Sequence, residues 1–232
     1  MTKANLFYRF AQPEQKLQSD ERVLSFVDIR KRFDFRSIQL GRWVTPDEQR
    51  QAAYSFYHAL VTLMDILQAP ESLISLRATL SLQYGKGGRP GVAAHYSPQE
   101  RCFSLAKNAG PGSIAHEWFH ALDHYLGSQA FESLPSFDQG LNYQSKMLFA
   151  SKAWLLDTPL RQHPLNELLS ECFKVILLDE KGESASMLVR QSNQIDTKLK
   201  QLYYGLPEEI CARAFEAYVE DAGLVDAKSS IR

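Results

Sequence analysis

The sequence predicts an α+β fold: a small twisted, mostly antiparallel sheet packed on one central helix, with a helical part closing the chain. Three observations predict it. Short runs rich in β-branched, leucine and aromatic residues, broken by glycine and proline, cluster at about 75–107. Apolar residues at spacings of three and four recur on both sides of that stretch. Between the two lies a helix at 114–126 that carries His116-Glu-Trp-Phe-His120. With 232 residues, 44% of them hydrophobic, the chain can bury a full core as one domain. Its predicted parts are an arm at 1–22, a sheet-and-helix part at 23–127 and a helical part at 128–232.

Taken in order, residues 23–44 combine β-branched and aromatic residues with a charged run and read as a strand with irregular connections. Thr45-Pro46-Asp47-Glu48 starts a helix with an N-cap threonine, proline at N1 and acids in the first turn. Its apolar positions run from Ala53 to Leu67, and Pro70 ends it. Residues 71–83 read as a turn and then a strand with Leu76, Ala78, Leu80 and Leu82 on one face. The glycine-rich 84–91 is a loop; no helix with GKS/T chemistry follows it, as a phosphate cradle would need. Strands at 92–96 and 101–107 are joined at Ser97-Pro98. Ser113 is placed to cap the central helix and Gly127 to end it. Helices follow at about 145–155, 165–180, 183–200 and 206–220.

The bulk properties narrow the function classes. A net charge of −1 gives no global electrostatic case for nucleic acid or an anionic membrane. A local case for nucleic acid stays open at Arg30-Lys31-Arg32 and Arg36, interleaved with Phe33 and Phe35. Three scattered cysteines outside any CxxC pattern read as reduced thiols. No apolar run suits a signal peptide or a membrane span, so a cytoplasmic protein is expected.

The central helix carries the chemistry. His116 and His120 stand one turn apart on one face, the spacing with which two imidazoles hold Zn²⁺. Glu117 follows the first histidine and is placed as general base on a metal-bound water. By chance the pattern would arise in roughly one chain in a hundred of this composition. Asp123 shares the face and is placed to accept the other imidazole N–H and orient the ring. A catalytic zinc needs a third protein ligand. His124 shares the face, but three histidines at i, i+4 and i+8 span about 12 Å. Two later helices offer carboxylates: Glu209, Glu216 and Glu220 with Arg213 on one stripe, and Glu167 with Glu171 on another. The residues alone leave the choice open.

Several blocks resemble the large polyvalent protein-associated domain 1. They are Phe33-Asp-Phe-Arg-Ser, Leu40-Gly-Arg-Trp-Val, the Gly85–Gly91 loop, Ala94-His95-Tyr96, the run from Gly110 to Leu126 around HEWFHALD, and Glu209-Ile-Cys-Ala-Arg-Ala-Phe-Glu-Ala-Tyr-Val. That family is a zincin-like domain of multidomain phage and mobile-element proteins. Short bacterial relatives are named for similarity to calcium-activated chloride channel regulators. The resemblance implies a zincin fold and Glu209 as the third ligand, with Glu216 as fallback; Arg213 and Glu216, on the same stripe, are candidates to support the ligands. It covers about 30–127 and 203–221, and the stretch at about 128–200 is additional.

The function expected is a gluzincin-type zinc metallopeptidase acting on a peptide or protein. Its substrate would add to the strand at 102–107 as the sheet edge. His95, Tyr96, Tyr203 and Tyr204 are candidates to stabilise an oxyanion or contact substrate. Two alternatives differ in class: a non-catalytic binding module for a protein or nucleic-acid partner, and a protease that processes its own chain. Oligomeric state is not legible at this level.

Overall fold

The computed structural model describes residues 24–86, 94–107, 113–132 and 149–229, with side chains to residue 223. The arm expected at 1–22, the Gly87–Gly91 part of the loop and the Gly110-Pro-Gly break lie outside the described residues. Among the described residues there are eight helices and one four-stranded sheet. In chain order they are α1 (Phe26–Phe33), β1 (Ser37–Leu40), α2 (Pro46–Leu67), α3 (Glu71–Ile74), β2 (Ser81–Tyr84), β3 (Ala94–Ser97), β4 (Cys102–Leu105), α4 (Ser113–Ala130), α5 (Ala150–Leu155), α6 (Pro164–Leu177), α7 (Met187–Leu199) and α8 (Pro207–Ser229). Packing divides the chain into two compact units: one up to Trp118 together with the chain from Glu216, the other Phe119–Phe215.

The first unit holds the sheet, in the order β1-β2-β4-β3. Two of its three pairings, β1 with β2 and β2 with β4, are parallel, and only β3 with β4 is antiparallel. The expected mostly antiparallel sheet is therefore corrected. The cause is the helical crossover: α2 lies between β1 and β2, and a connection that long returns the chain to pair in parallel. The hairpin at Ser97-Pro98 supplies the antiparallel pair. It also puts β4 inside the sheet and β3 at its edge, the reverse of the expectation that 102–107 is the edge.

Register gives the sheet two faces. Ile38, Leu82, Phe103 and Tyr96 align across the strands, as do Leu40, Tyr84, Leu105 and Ala94. Alternate positions carry serine, glutamine, cysteine and histidine, the period-two pattern of a one-sided apolar sheet. Phe35 meets Phe103, and Phe26 and Phe56 meet Tyr84. Phe26 and Phe56 come from α1 and α2.

Helix α1 replaces the strand expected at 23–44. Ser25 caps it and Asp28 returns the bond to the Ser25 N–H, a reciprocal capping box. Asp34 ends it in the left-handed region at φ 55°. Helix α2 has the predicted Thr45 cap and Pro46 start, and Glu48 returns a bond to the Thr45 N–H to close a capping box. Lys107 reinforces that end: its ammonium reaches the Glu48 carboxylate at 2.7 Å and the Trp43 carbonyl at 2.7 Å. The strand expected from Leu76 begins only at Ser81. Leu76, Arg77 and Ala78 have φ of 50°, 56° and 61°, a left-handed turn of three non-glycine residues. Each costs about 1–2 kcal/mol. Backbone bonds from Leu76, Arg77, Thr79 and Leu80, and one from Ala78 to the Ser75 hydroxyl, hold the turn in place.

The second unit is helical. Its core comprises Ala130, Phe131, Ala150, Ala153, Phe173, Leu177, Ile210 and Cys211. Helix α4 runs to Ala130, beyond the stop expected at Gly127. Gly127 is buried within the helix, and Ala130 anchors the last turn in the core. Ser113 is itself helical and does not stand before the helix as a cap. Helix α8 likewise continues past Glu220 to Ser229. No helix among the described residues is long and apolar enough to cross a membrane.

Candidate metal centre

Helix α4 positions the two histidines and anchors itself between them. Trp118, fully buried, donates its indole N–H to the Ile74 carbonyl at 2.9 Å, and Ala115 and Ala121 pack tightly. With those positions in the core, His116 and His120 share the remaining side. Glu117 is buried at 7% exposure.

His116, His120 and Glu209 each offer a ligand atom, and these atoms lie within 4.8 Å of one another. This group could hold a metal ion. His120 Nε2 stands 3.3 Å from Glu209 Oε1, with both side chains about nine-tenths buried. Glu209 lies in the first turn of α8, where the helix N-terminus favours a carboxylate. Glu216, the fallback ligand, instead meets His116 Nδ1 at 3.2 Å through Oε2. A carboxylate on one ring nitrogen fixes the ring's orientation and directs the other nitrogen elsewhere.

Asp123 is fully buried, and its two oxygens accept from the Ser151 N–H at 2.8 Å and the Ser151 hydroxyl at 2.6 Å. Burial pushes its carboxyl up to about 6, with the Ser151 donors and then His120 pulling the other way. Phe149, two residues before Ser151, packs its ring near those of His120 and His124. His124 is outside the metal group. Glu171 is exposed beside Lys174 on α6, and Glu167 is exposed on the same helix, so neither completes the group.

Arg213 does not act through a carboxylate of the site in any bond seen here. Its guanidinium donates to the Glu209 carbonyl, the Ser192 hydroxyl and the Tyr204 carbonyl, and lies 5.1 Å from the Tyr204 ring centre. Asp196, which no motif singles out, accepts from the Tyr203, Tyr204 and Gly205 N–H groups. Burial alone would raise its carboxyl, but these donors and Arg213 carry it below the usual range. The Tyr203 and Tyr204 backbones are thus engaged in the turn that leads into α8, and Tyr203 is exposed. His95 is exposed on the edge strand opposite Ser104. Tyr96 is half-buried beside it, its hydroxyl pKa raised by burial.

Two other features do not bear on the site. A cavity of about 440 Å³ lined by Phe131, Trp154, Leu155, Thr158, Leu160 and Leu178 among others contains none of these candidates. The basic run is largely spoken for: Arg30 bonds the Phe35 and Arg36 carbonyls, Arg32 bonds Glu71 and Tyr57, and Arg36 bonds Ser81 and the Glu100 carbonyl.

Residues 195–228 match the family model of the large polyvalent protein-associated domain 1. The match holds Glu209, Arg213 and Glu216 and begins one residue before Asp196. No curated protein and no solved structure gives a match to the chain.

Proposed function

We propose that the chain is a zinc-dependent peptidase of the zincin type, with His116, His120 and Glu209 as ligands and Glu117 as general base. The observation that carries the reading is the His-His-Glu group assembled around a HExxH helix. Its donors suit zinc: two imidazoles and a carboxylate with a fourth position left to water. Two donors about 2.0 Å from one ion at a tetrahedral angle stand roughly 3.3 Å apart, and His120 Nε2 and Glu209 Oε1 stand 3.3 Å apart.

Zinc bound there supplies Lewis acidity and lowers the pKa of a water to about 7. Glu117 takes the proton from the attacking water and passes it to the leaving amine. Glu216 holds His116 by Nδ1, which presents Nε2 as the ligating atom. An extended peptide adds to β3, the antiparallel edge strand that carries His95 and Tyr96. The engagement of Arg30, Arg32 and Arg36 inside the chain weighs against a nucleic-acid module.

Metal analysis of protein purified without chelator should find close to one zinc per chain. No metal bound, even after zinc is supplied, would sink the site. Glu117→Gln should keep the metal and lose chelator-sensitive peptide cleavage, and retained cleavage would remove Glu117 as the base.

A further inference from the structure

The helical unit holds a cavity of about 440 Å³ that the metal centre does not use. Phe131, Trp154, Leu160 and Leu178 supply its apolar wall, with Thr158 and Ser170 as polar members. Burial sets its depth. Phe131 and Thr158 are 1% and 6% exposed and form the floor, while the half-exposed Leu155 and the exposed Asp157 form the rim. All of these residues lie within Phe119–Phe215. The volume falls in the range of about 300–1,000 Å³ typical of small-molecule sites.

The wall is fixed before anything binds. Phe131 pairs with Leu160 in an isolated bridge, closed by the Glu132 N–H on the Pro159 carbonyl at 2.9 Å and the Arg161 N–H on the Ala130 carbonyl at 2.8 Å. Leu178 is tied to Ala185 by a second bridge. The Trp154 ring is held at its N–H, which donates to the Ser170 hydroxyl at 2.8 Å, and packs with its centre 6.3 Å from that of Phe173. A cavity with walls pinned in this way resists collapse, and a ligand entering it spends little on ordering the protein.

The polar groups say what fits. Ser170 accepts the Trp154 N–H, which leaves its own proton to donate. The Thr158 hydroxyl is buried with no hydrogen-bond partner among the described residues. A buried hydroxyl left unpaired is costly, and an acceptor placed in the cavity removes that cost once the threonine turns about χ1 to meet it. Two O–H donors on the lining therefore call for an acceptor on the ligand. Asp157 puts a carboxylate at the rim, which repels an anion, and the apolar wall penalises a cation stripped of water. Trp154 and Phe131 offer ring surfaces to a flat aromatic group.

We propose that this cavity binds a compact, uncharged aromatic molecule carrying a carbonyl-type acceptor, with its ring between Trp154 and Phe131 and its acceptor toward Thr158 and Ser170. No proposed metal ligand lines the cavity, so this site and the metal centre stand or fall separately. The test is fluorine NMR of the full chain titrated into para-fluoroacetophenone. Binding should saturate with a dissociation constant below about 1 mM, unchanged between added zinc and added chelator. Thr158→Val keeps the side-chain shape and removes the hydroxyl. It should weaken binding about 3- to 10-fold without lowering the melting temperature, because no partner in the chain is lost. Leu155→Trp should abolish binding by filling the mouth, with far-ultraviolet circular dichroism unchanged. Para-fluorotoluene, which lacks the acceptor, should bind about 3- to 10-fold more weakly, and para-fluorobenzoate, an anion, at least about 10-fold more weakly. Several outcomes would overturn the proposal: no saturable binding, binding that zinc abolishes, or a benzoate or toluene that binds as well as the ketone. So would a fall in melting temperature for Thr158→Val, because it would show the hydroxyl already engaged within the chain.

Discussion

The buried carboxyl of Asp123 makes a quantitative prediction about metal-free protein. Its folded pKa is about 6, raised by burial, against about 3.9 for an aspartate in an unfolded chain. The folded chain therefore holds this proton more tightly than the unfolded chain does. Stability from this group is greatest below pH 4 and is lost as pH rises toward and through 6. A difference of about two units at 1.36 kcal/mol each comes to roughly 3 kcal/mol. Asp123→Asn removes the titration and keeps the shape: its amide oxygen accepts from the Ser151 N–H, and its NH₂ donates to the Ser151 hydroxyl. The assay is urea unfolding of both proteins with chelator present, in half-unit steps from pH 3.5 to 7.5. Stability of the variant minus that of the wild type should climb by about 3 kcal/mol between pH 4 and 6.5 and then level. Parallel curves across that window would refute the reasoning, because they would mean that Asp123 is ionised to the same degree folded and unfolded.

Three further outcomes can be measured alongside it. Glu209→Gln keeps the side-chain shape but replaces a carboxylate by a poor ligand, so the zinc dissociation constant should rise at least about 100-fold in a chelator competition; unchanged affinity would return Glu216 or His124 as the ligand. Asp196→Ala removes the acceptor of three backbone N–H groups, and the melting temperature and zinc affinity should fall together; a loss of stability with affinity intact would detach this turn from the site. At Gly41 an added Cβ would stand 1.7 Å from the Gly85 carbonyl oxygen, a backbone atom. Gly41→Ala should therefore cost more than about 2 kcal/mol in urea unfolding, and a neutral result would mean that the strand ends can part freely.

What the sequence yields and what it hides follow from the range of each interaction. The Thr45 cap and the Ser97-Pro98 turn are made within a few residues, and both read correctly. Ser25 and Asp28 carry the same capping signature, yet the aromatic and charged run that follows imitates a strand. Leu76, Ala78, Leu80 and Leu82 alternate as a strand does, but a left-handed turn consumes the first half of the pattern. Alternation records which side a residue faces and not which backbone puts it there. Strand direction was out of reach because it depends on where the chain returns after α2. The histidine pair was legible because helix geometry alone sets its spacing. Its carboxylate partner comes from a distant helix, and only the resemblance singled out Glu209 among five glutamates.

The turn before α8 explains why a local match can carry site information. Glu209 is useful as a ligand only if the first turn of its helix is fixed. Asp196 gathers the N–H groups of Tyr203, Tyr204 and Gly205, and Arg213 reaches back along α8 to the Glu209 and Tyr204 carbonyls and the Ser192 hydroxyl. Between them they pin the chain just before the helix and the helix's own first turn. Gly205 packs close to this turn: a Cβ would stand 2.2 Å from Oδ1 of the exposed Asn193 side chain, which would have to move, and 3.1 Å from Asp196 Oδ2. On a helical wheel Arg213 looks like an ordinary i, i+4 salt-bridge partner of Glu209. Its bond to the Glu209 backbone assigns it a different task, holding the turn that presents the carboxylate. The matched segment at 195–228 takes in Asp196, Gly205, Glu209, Arg213 and Glu216 together. It therefore encloses one candidate ligand, most of the device that orients it, and the carboxylate that holds His116.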